Sequence, residues 1–318
     1  MYHLSKNIIS SLLLTSKVAS FSVTSPMSLG GRIGLVSNQR PLQTQRLMCG
    51  LVAAIDDIWN QNENDVQFGD VPLLNDYEKK GNDNEALTKI TSVLHHRGPD
   101  GMTVASGLFG KDEGTKARWS MGHTRLAIVD PDNRKADMPF QLQFNVEGVN
   151  KNIKLAANGE IYNHEQVYEN LVKNDGWNHE RISHSDCEVI AHSFAKNGGP
   201  ATAKALDGMF AFVVFEENSE DGTVKAFAAR DPVGIKPLYY GRKSSSHDKS
   251  QASSYVFSSE LKGLVGQVDP STVVAIPPGH YWTPEEGLVC FYNPEWLRKV
   301  RKNVNEFDDA FINNKFYC

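Results

Sequence analysis

RLMCGLVAAID, residues 46–56, is an apolar run opened by a cysteine, and its reading decides the fold. Leu51–Ile55 reads as a buried strand. Cys49 stands at its head. A cysteine attacks a carbonyl only as thiolate, and an ordinary thiol with a pKa of ~8.5 is mostly protonated at neutral pH. It needs a base. A chain's own α-amine, with a pKa of ~7.7–8.0, titrates near the operating pH, so a cysteine that begins its chain carries a base with it. Gly50 is expected to let the backbone turn sharply and a substrate come close. Taken alone, a buried cysteine at a strand start is more often core packing than catalysis.

The 48 residues before Cys49 are a separate matter. They contain Lys6, Lys17, Arg32, Arg40 and Arg46, no Asp or Glu, many serines and a short apolar patch, Ile8–Leu14. That is the composition of an organelle-targeting segment. A disordered tail, or an upstream stretch left untranslated by a start at Met48, is the plainer alternative. A start at Met48 implies the cytosol; a transit segment implies a plastid or mitochondrion. The remaining residues hold 28 basic and 38 acidic side chains, so the net −5 of the whole chain hides an acidic body. Neither nucleic acid nor an anionic membrane surface is an expected partner of such a body. No apolar run approaches the ~20 residues of a membrane span. Cys49, Cys187, Cys290 and Cys318 are too few and too scattered for a disulfide framework, and without a CxxC pair no metal site is expected.

From Cys49 the pattern is globular. A polar stretch from Asp56 to about Asn84 reads as a loop insertion, followed by helical spacing of Ala86, Leu87, Ile90, Val93 and Leu94. Strands are expected over Ser120–Val129, Lys154–Ala157, Met209–Phe215, Val224–Ala229 and Tyr255–Ser258, and over Val273–Ile276 leading to Tyr281. Helices are expected over His164–Val172, Asp186–Lys196 and Ala201–Leu206. The fold class is α+β: two mostly antiparallel sheets stacked face to face, helices outside. Lys243–Ser254 reads as a solvent loop. The last residues, from 293 on, form a single amphipathic pattern with nothing following it, as at the start of a linker.

Three segments carry chemistry beside Cys49. In GHTRLAIVD (122–130), an Arg inside an apolar strand needs an anion, and Arg125 offers a planar fork to a ligand carboxylate or to an internal acid. In LAANGEIYNH (155–164), Asn158 and Gly159 supply a side-chain amide and an unobstructed N–H that can stabilise an oxyanion, or they form a simple Asn-Gly turn. Glu160 can accept from an ammonium. In SHSDCEVI (183–190), Asp186 is either a helix cap or a carboxylate for a substrate amine. A metal held by His184, Cys187 and His192 is disfavoured by their spacing.

Together these segments resemble the glutamine-hydrolysing domain of the asparagine synthetases, class II amidotransferases of the N-terminal-nucleophile hydrolase type. The resemblance rests on MCGLVAAID (48–56), LHHRGPDG (94–101), MGHTRLAIVD (121–130), LAANGEIYNH (155–164) and SDCEVIAH (185–192). It continues through LDGMFAFVVFEE (206–217), FAARDPVGIKPLYYG (227–241), VFSSELKGL (256–264) and IPPGHYW (276–282). It implies a four-layer αββα sandwich over residues 49–292. It also implies glutamine hydrolysis to glutamate and ammonia through a Cys49 thioester. Asn158 and Gly159 would form the oxyanion hole. Arg125, with Leu126, Ile128 and Val129, would hold the glutamine α-carboxylate, and Glu160 and Asp186 the α-ammonium. Residues 97–100 and 230–237 would be structural or face a partner domain. The implied partners are glutamine, a synthetase domain or chain that receives the ammonia, and a second copy of the chain in a homodimer. No cofactor is implied for this chain. ATP and Mg belong to the synthetase domain, whose SGGLDSS-type loop has no counterpart here; SLGGRIG (28–34) has only its glycines. Ammonia, not asparagine, is therefore the expected product. The alternative is a non-catalytic glutamine-binding or regulatory protein of the same fold.

Overall fold

The computed structural model describes residues 48–58, 83–110, 116–243 and 254–295. The leader before Met48, most of the polar insertion, the tip of the Lys243–Ser254 loop and the C-terminal stretch lie outside them. Successive side chains of a strand point to opposite faces, and that period of two organises the rest. In β1 (Gly50–Ile58), Leu51, Ala53 and Ile55 enter one core while Val52 and Ala54 enter another. The strand is buried on both sides, which is why it reads as an unbroken apolar run.

The first sheet runs β10-β8-β9-β1-β3-β2, with every pairing antiparallel. Its other strands are β2 (Gly101–Phe109), β3 (Lys116–Arg125), β8 (Tyr239–Arg242), β9 (Tyr255–Ser258) and β10 (Val274–Ala275). The second runs β12-β11-β7-β6-β5-β4 and is also antiparallel throughout. It contains β4 (Phe140–Val146), β5 (Val149–Ile161), β6 (Gly208–Asn218), β7 (Val224–Arg230), β11 (His280–Thr283) and β12 (Gly287–Cys290).

Three cores separate four layers. Between the sheets, Leu51, Trp119, Met121 and Phe257 meet Ala156, Val213, Phe215 and Trp282. Outside the first sheet, α1 (Asp83–Ser92) lays Ala86 and Leu87 on Val52, Ala54 and Val256. Outside the second, α2 (His164–Asp175), α3 (Glu188–Asn197) and α4 (Gly199–Ala205) cover Leu155, Phe210, Phe212 and Phe227. Each fully buried Leu or Phe contributes about 1.5–3 kcal/mol, so the sandwich is held chiefly by these layers. The order helix, sheet, sheet, helix is the αββα arrangement expected from the sequence.

Some local expectations change. β3 ends at Arg125, so Leu126–Val129 is loop rather than strand. β5 runs on through Asn158, Gly159 and Glu160, and the Asn-Gly pair forms no turn. Gly159 is required because a Cβ there would strike the Met209 carbonyl. Gly50 makes no sharp turn either: it lies in β1, where a Cβ would meet Thr124 Oγ1 at 2.6 Å and Leu94 at 2.9 Å. Asp186 does not cap α3, whose N-cap is Cys187.

Candidate active site

The same period of two aims the site. Cys49 shares the inward parity of Leu51 and Ala53, Asn158 and Glu160 that of Ala156, and Arg125 that of Trp119 and Met121. All converge on the wall of one cleft. Its lining includes Cys49, Arg125, Leu126, Ile128, Val129, Asn158, Gly159, Glu160 and Asp186, so every residue singled out in the sequence is brought together.

Cys49 is half-buried, and its Sγ accepts the Leu126 N–H at 3.3 Å. Burial pushes the thiol pKa up; the Leu126 N–H and the charges of Lys236 and Arg125 pull it down, against Asp186. The backbone behind it is clamped by Arg97, which donates Nε to the Cys49 carbonyl at 2.9 Å and Nη1 to Glu260 at 2.8 Å. Burial disfavours the Glu260 anion, yet hydrogen bonds from Arg97, Lys262 and His96 hold its pKa at about 2. Met48 still precedes Cys49 in the full chain, so the Cys49 nitrogen is there a peptide N–H.

Opposite the thiol lies Asn158, fully buried, with neither Nδ2 nor Oδ1 hydrogen-bonded. A buried amide left unsatisfied costs about 1–3 kcal/mol. β4 pairs with β5 only as far as Leu155, so beyond it that edge of β5 is open. Ile161 N–H uses this edge to reach Asp186 Oδ2 at 2.6 Å, and the Gly159 carbonyl uses it to accept the Cys187 thiol at 3.7 Å. Residues two apart face the same edge, so the Gly159 N–H faces it too. An amide donor and a free-edge N–H thus line the same cleft as a half-buried thiol.

Two residues beyond Asp186, Glu188 is the centre of a buried network. Glu188 accepts Ile182 N–H at 2.6 Å and Ser183 N–H at 2.9 Å, and pairs with His192 Nε2 at 3.2 Å. Trp177 Nε1 donates to His192 Nδ1 at 2.9 Å, which leaves Nε2 as the protonated nitrogen. Cys187 and His192 thus spend their polar atoms on the protein.

Arg125 shows the internal ion pair that the sequence left open. Nη1 donates to Asp137 at 2.7 Å and the Asn133 carbonyl at 3.3 Å, Nη2 to the carbonyls of Val129 at 3.0 Å and Asp130 at 2.6 Å. All four Nη hydrogens bind the loop that carries Leu126, Ile128 and Val129. A ligand carboxylate would have to displace one of these acceptors or take Nε. Sequence reasoning missed Lys236, which lines the cleft within a segment assigned to structure or to a partner. Its only signal was a lysine inside an apolar run, IKPLYY.

The αββα sandwich is of the N-terminal-nucleophile hydrolase type. Residues 73–279 match the glutamine amidotransferase domain profile, and the chain belongs to that family. The match takes in Arg125, Asn158, Glu160 and Asp186; Cys49 lies ahead of it. The chain is 35% identical over 232 residues to asparagine synthetase [glutamine-hydrolyzing] 3 of Arabidopsis thaliana, covering 72% of this chain and 34% of that one. It is 35% identical over 220 residues to the probable asparagine synthetase of Schizosaccharomyces pombe, covering 69% and 34%. For the probable enzyme of Dictyostelium discoideum the figures are 33% over 230 residues, 72% and 35%. The chain spans about a third of the length of these relatives.

Proposed function

We propose that the cleft hydrolyses glutamine with Cys49 as nucleophile and delivers the ammonia to a synthetase active site that converts aspartate to asparagine. The unpartnered amide of Asn158 beside Cys49 carries this reading. Glutamine brings a side-chain carbonyl whose oxygen becomes anionic on attack, and Asn158 Nδ2 and Gly159 N–H are the donors for it. The Cys49 sulfur bonds to the amide carbon, the amide nitrogen leaves as ammonia after taking a proton, and water then cleaves the thioester to glutamate. Glu160 and Asp186 supply negative charge for the α-ammonium, and Arg125 positive charge for the α-carboxylate.

The base is the α-amine of Cys49, freed by breakage of the Met48–Cys49 bond. Removal of Met48 after an internal start, or cleavage of a leader at that bond, would give the same amine. A partner domain is supported by the exposed apolar residues Tyr162, Val233 and Ile235, which flank the cleft residues Glu160 and Lys236 along the chain.

The test is to read the mature N-terminus by intact mass and to assay the protein with glutamine alone. A chain beginning at Cys49 should form glutamate and ammonia from glutamine without ATP or aspartate. A chain beginning at Cys49 that forms no glutamate would contradict the reading.

A further inference from the structure

The loop Asp231–Lys236 is wound around one buried carboxylate. Asp231 accepts the N–H groups of Val233 at 3.0 Å, Gly234 at 2.5 Å, Ile235 at 3.0 Å and Lys236 at 3.0 Å. Arg230 binds the same loop from outside, donating to the carbonyls of Lys236 and Gly234, both at 2.7 Å, and of Ile276 at 2.8 Å. The backbone of Lys236 is therefore held at both its N–H and its carbonyl. Its side chain is only 4% exposed and lies in the cleft wall with Cys49 and Glu160. Glu160, in the same wall, is the carboxylate that most favours its charge. Burying an ammonium is costly, and lysines are rarely this buried without a reason.

We infer that Lys236 is a positioning residue for the nucleophile: a fixed positive charge in the cleft wall that raises the thiolate fraction of Cys49. Lys236 transfers no proton; the thiol proton leaves to the base, and the ammonium lowers the energy of the anion that remains. Arg125 acts on the thiol in the same direction while paired with Asp137 at 2.7 Å. Burial lowers the Lys236 pKa, while Glu160, Cys49 and Asp231 favour its charged form and Arg97 opposes it. The thiol itself faces Lys236, Arg125 and Asp186, with the Cys187 thiol nearby.

The inference rests on Cys49 being the nucleophile, so its test is kept apart from turnover. Alkylation of Cys49 by iodoacetamide is followed against pH in the full chain, with peptide mass spectrometry separating it from the other thiols. Lys236→Met should raise the midpoint by about one pH unit and slow alkylation about tenfold at neutral pH, the usual effect of losing a nearby opposite charge. Lys236→Arg should restore the wild-type profile. Lys236→Gln carries the comparison should the Met variant not fold. A wild-type profile in the neutral variants, or an Arg variant as slow as they are, would overturn the inference. Loss of glutamate production in Cys49→Ala tests the nucleophile separately.

Discussion

The Leu126 N–H points at the Cys49 sulfur from 3.3 Å, and Leu126 follows the arginine that ties down its loop. A backbone donor on sulfur favours the thiolate, so the loop's geometry enters the chemistry directly.

Arg125→Lys should therefore do more than shorten a side chain. One ammonium cannot satisfy Asp137 and three carbonyls in the geometry of the guanidinium fork. Unsatisfied acceptors should cost roughly 1–3 kcal/mol of stability. The misplaced loop should lower kcat/KM for glutamine on the order of 10²-fold. Urea denaturation and steady-state kinetics check both; wild-type values in both would show that the clamp is dispensable.

Asn158→Ala should separate activity from stability. Losing an oxyanion donor should lower kcat by about 10²–10³-fold with little change in KM. Yet Asn158 is buried with both polar atoms unpaired, so its removal should leave the melting temperature unchanged or higher. A variant that melts lower and keeps its kcat would mean that the amide serves packing instead.

Gly159→Ala should fail for a different reason. Its Cβ would collide with backbone of β6 at Met209 and Phe210, which cannot swing away as a side-chain tip could. The expected cost is about 1–3 kcal/mol, read by urea denaturation, together with loss of glutaminase activity from a displaced N–H. Unchanged stability would show that β6 yields.

The sequence made the layers legible because apolar parity is written residue by residue, as in Leu51–Ile55 and Met209–Phe215. β2, β4, β8 and β12 escaped it, β4 despite its clean alternation. β2 has the pattern GMTVASGLF, with little alternation, and β8 and β12 have four residues each. The cleft's own residues were legible as a set, but not their bonds. Whether Arg125 met a ligand or Asp137 depended on a loop whose path no local pattern encodes. Lys236 was hidden by long-range folding: it reaches Cys49 only because β8 and β9 bring its loop to the first sheet.

His123 makes acid stability a test of the inter-sheet packing. Burial pushes its imidazole pKa down to about 4, while Nε2–H donates to the Ala157 carbonyl at 2.9 Å, next to Asn158. The folded pKa lies below that of the unfolded chain, so the unfolded state binds the proton first as pH falls. Stability is full above about 6.5 and declines through the folded value, by roughly 3 kcal/mol in all. His123→Gln, which retains a donor, should flatten that decline between pH 6.5 and 4.5 in urea titrations. An unchanged slope would assign the acid sensitivity to other groups.

The most direct measurement is glutamate release from glutamine by the processed protein and by Cys49→Ala, each with its N-terminus and fold verified. The wild type should release glutamate and the variant none above the uncatalysed rate, because the other thiol of the cleft, Cys187, is buried and turned to the Gly159 carbonyl. Equal rates in the two proteins would contradict the assignment of Cys49 as nucleophile.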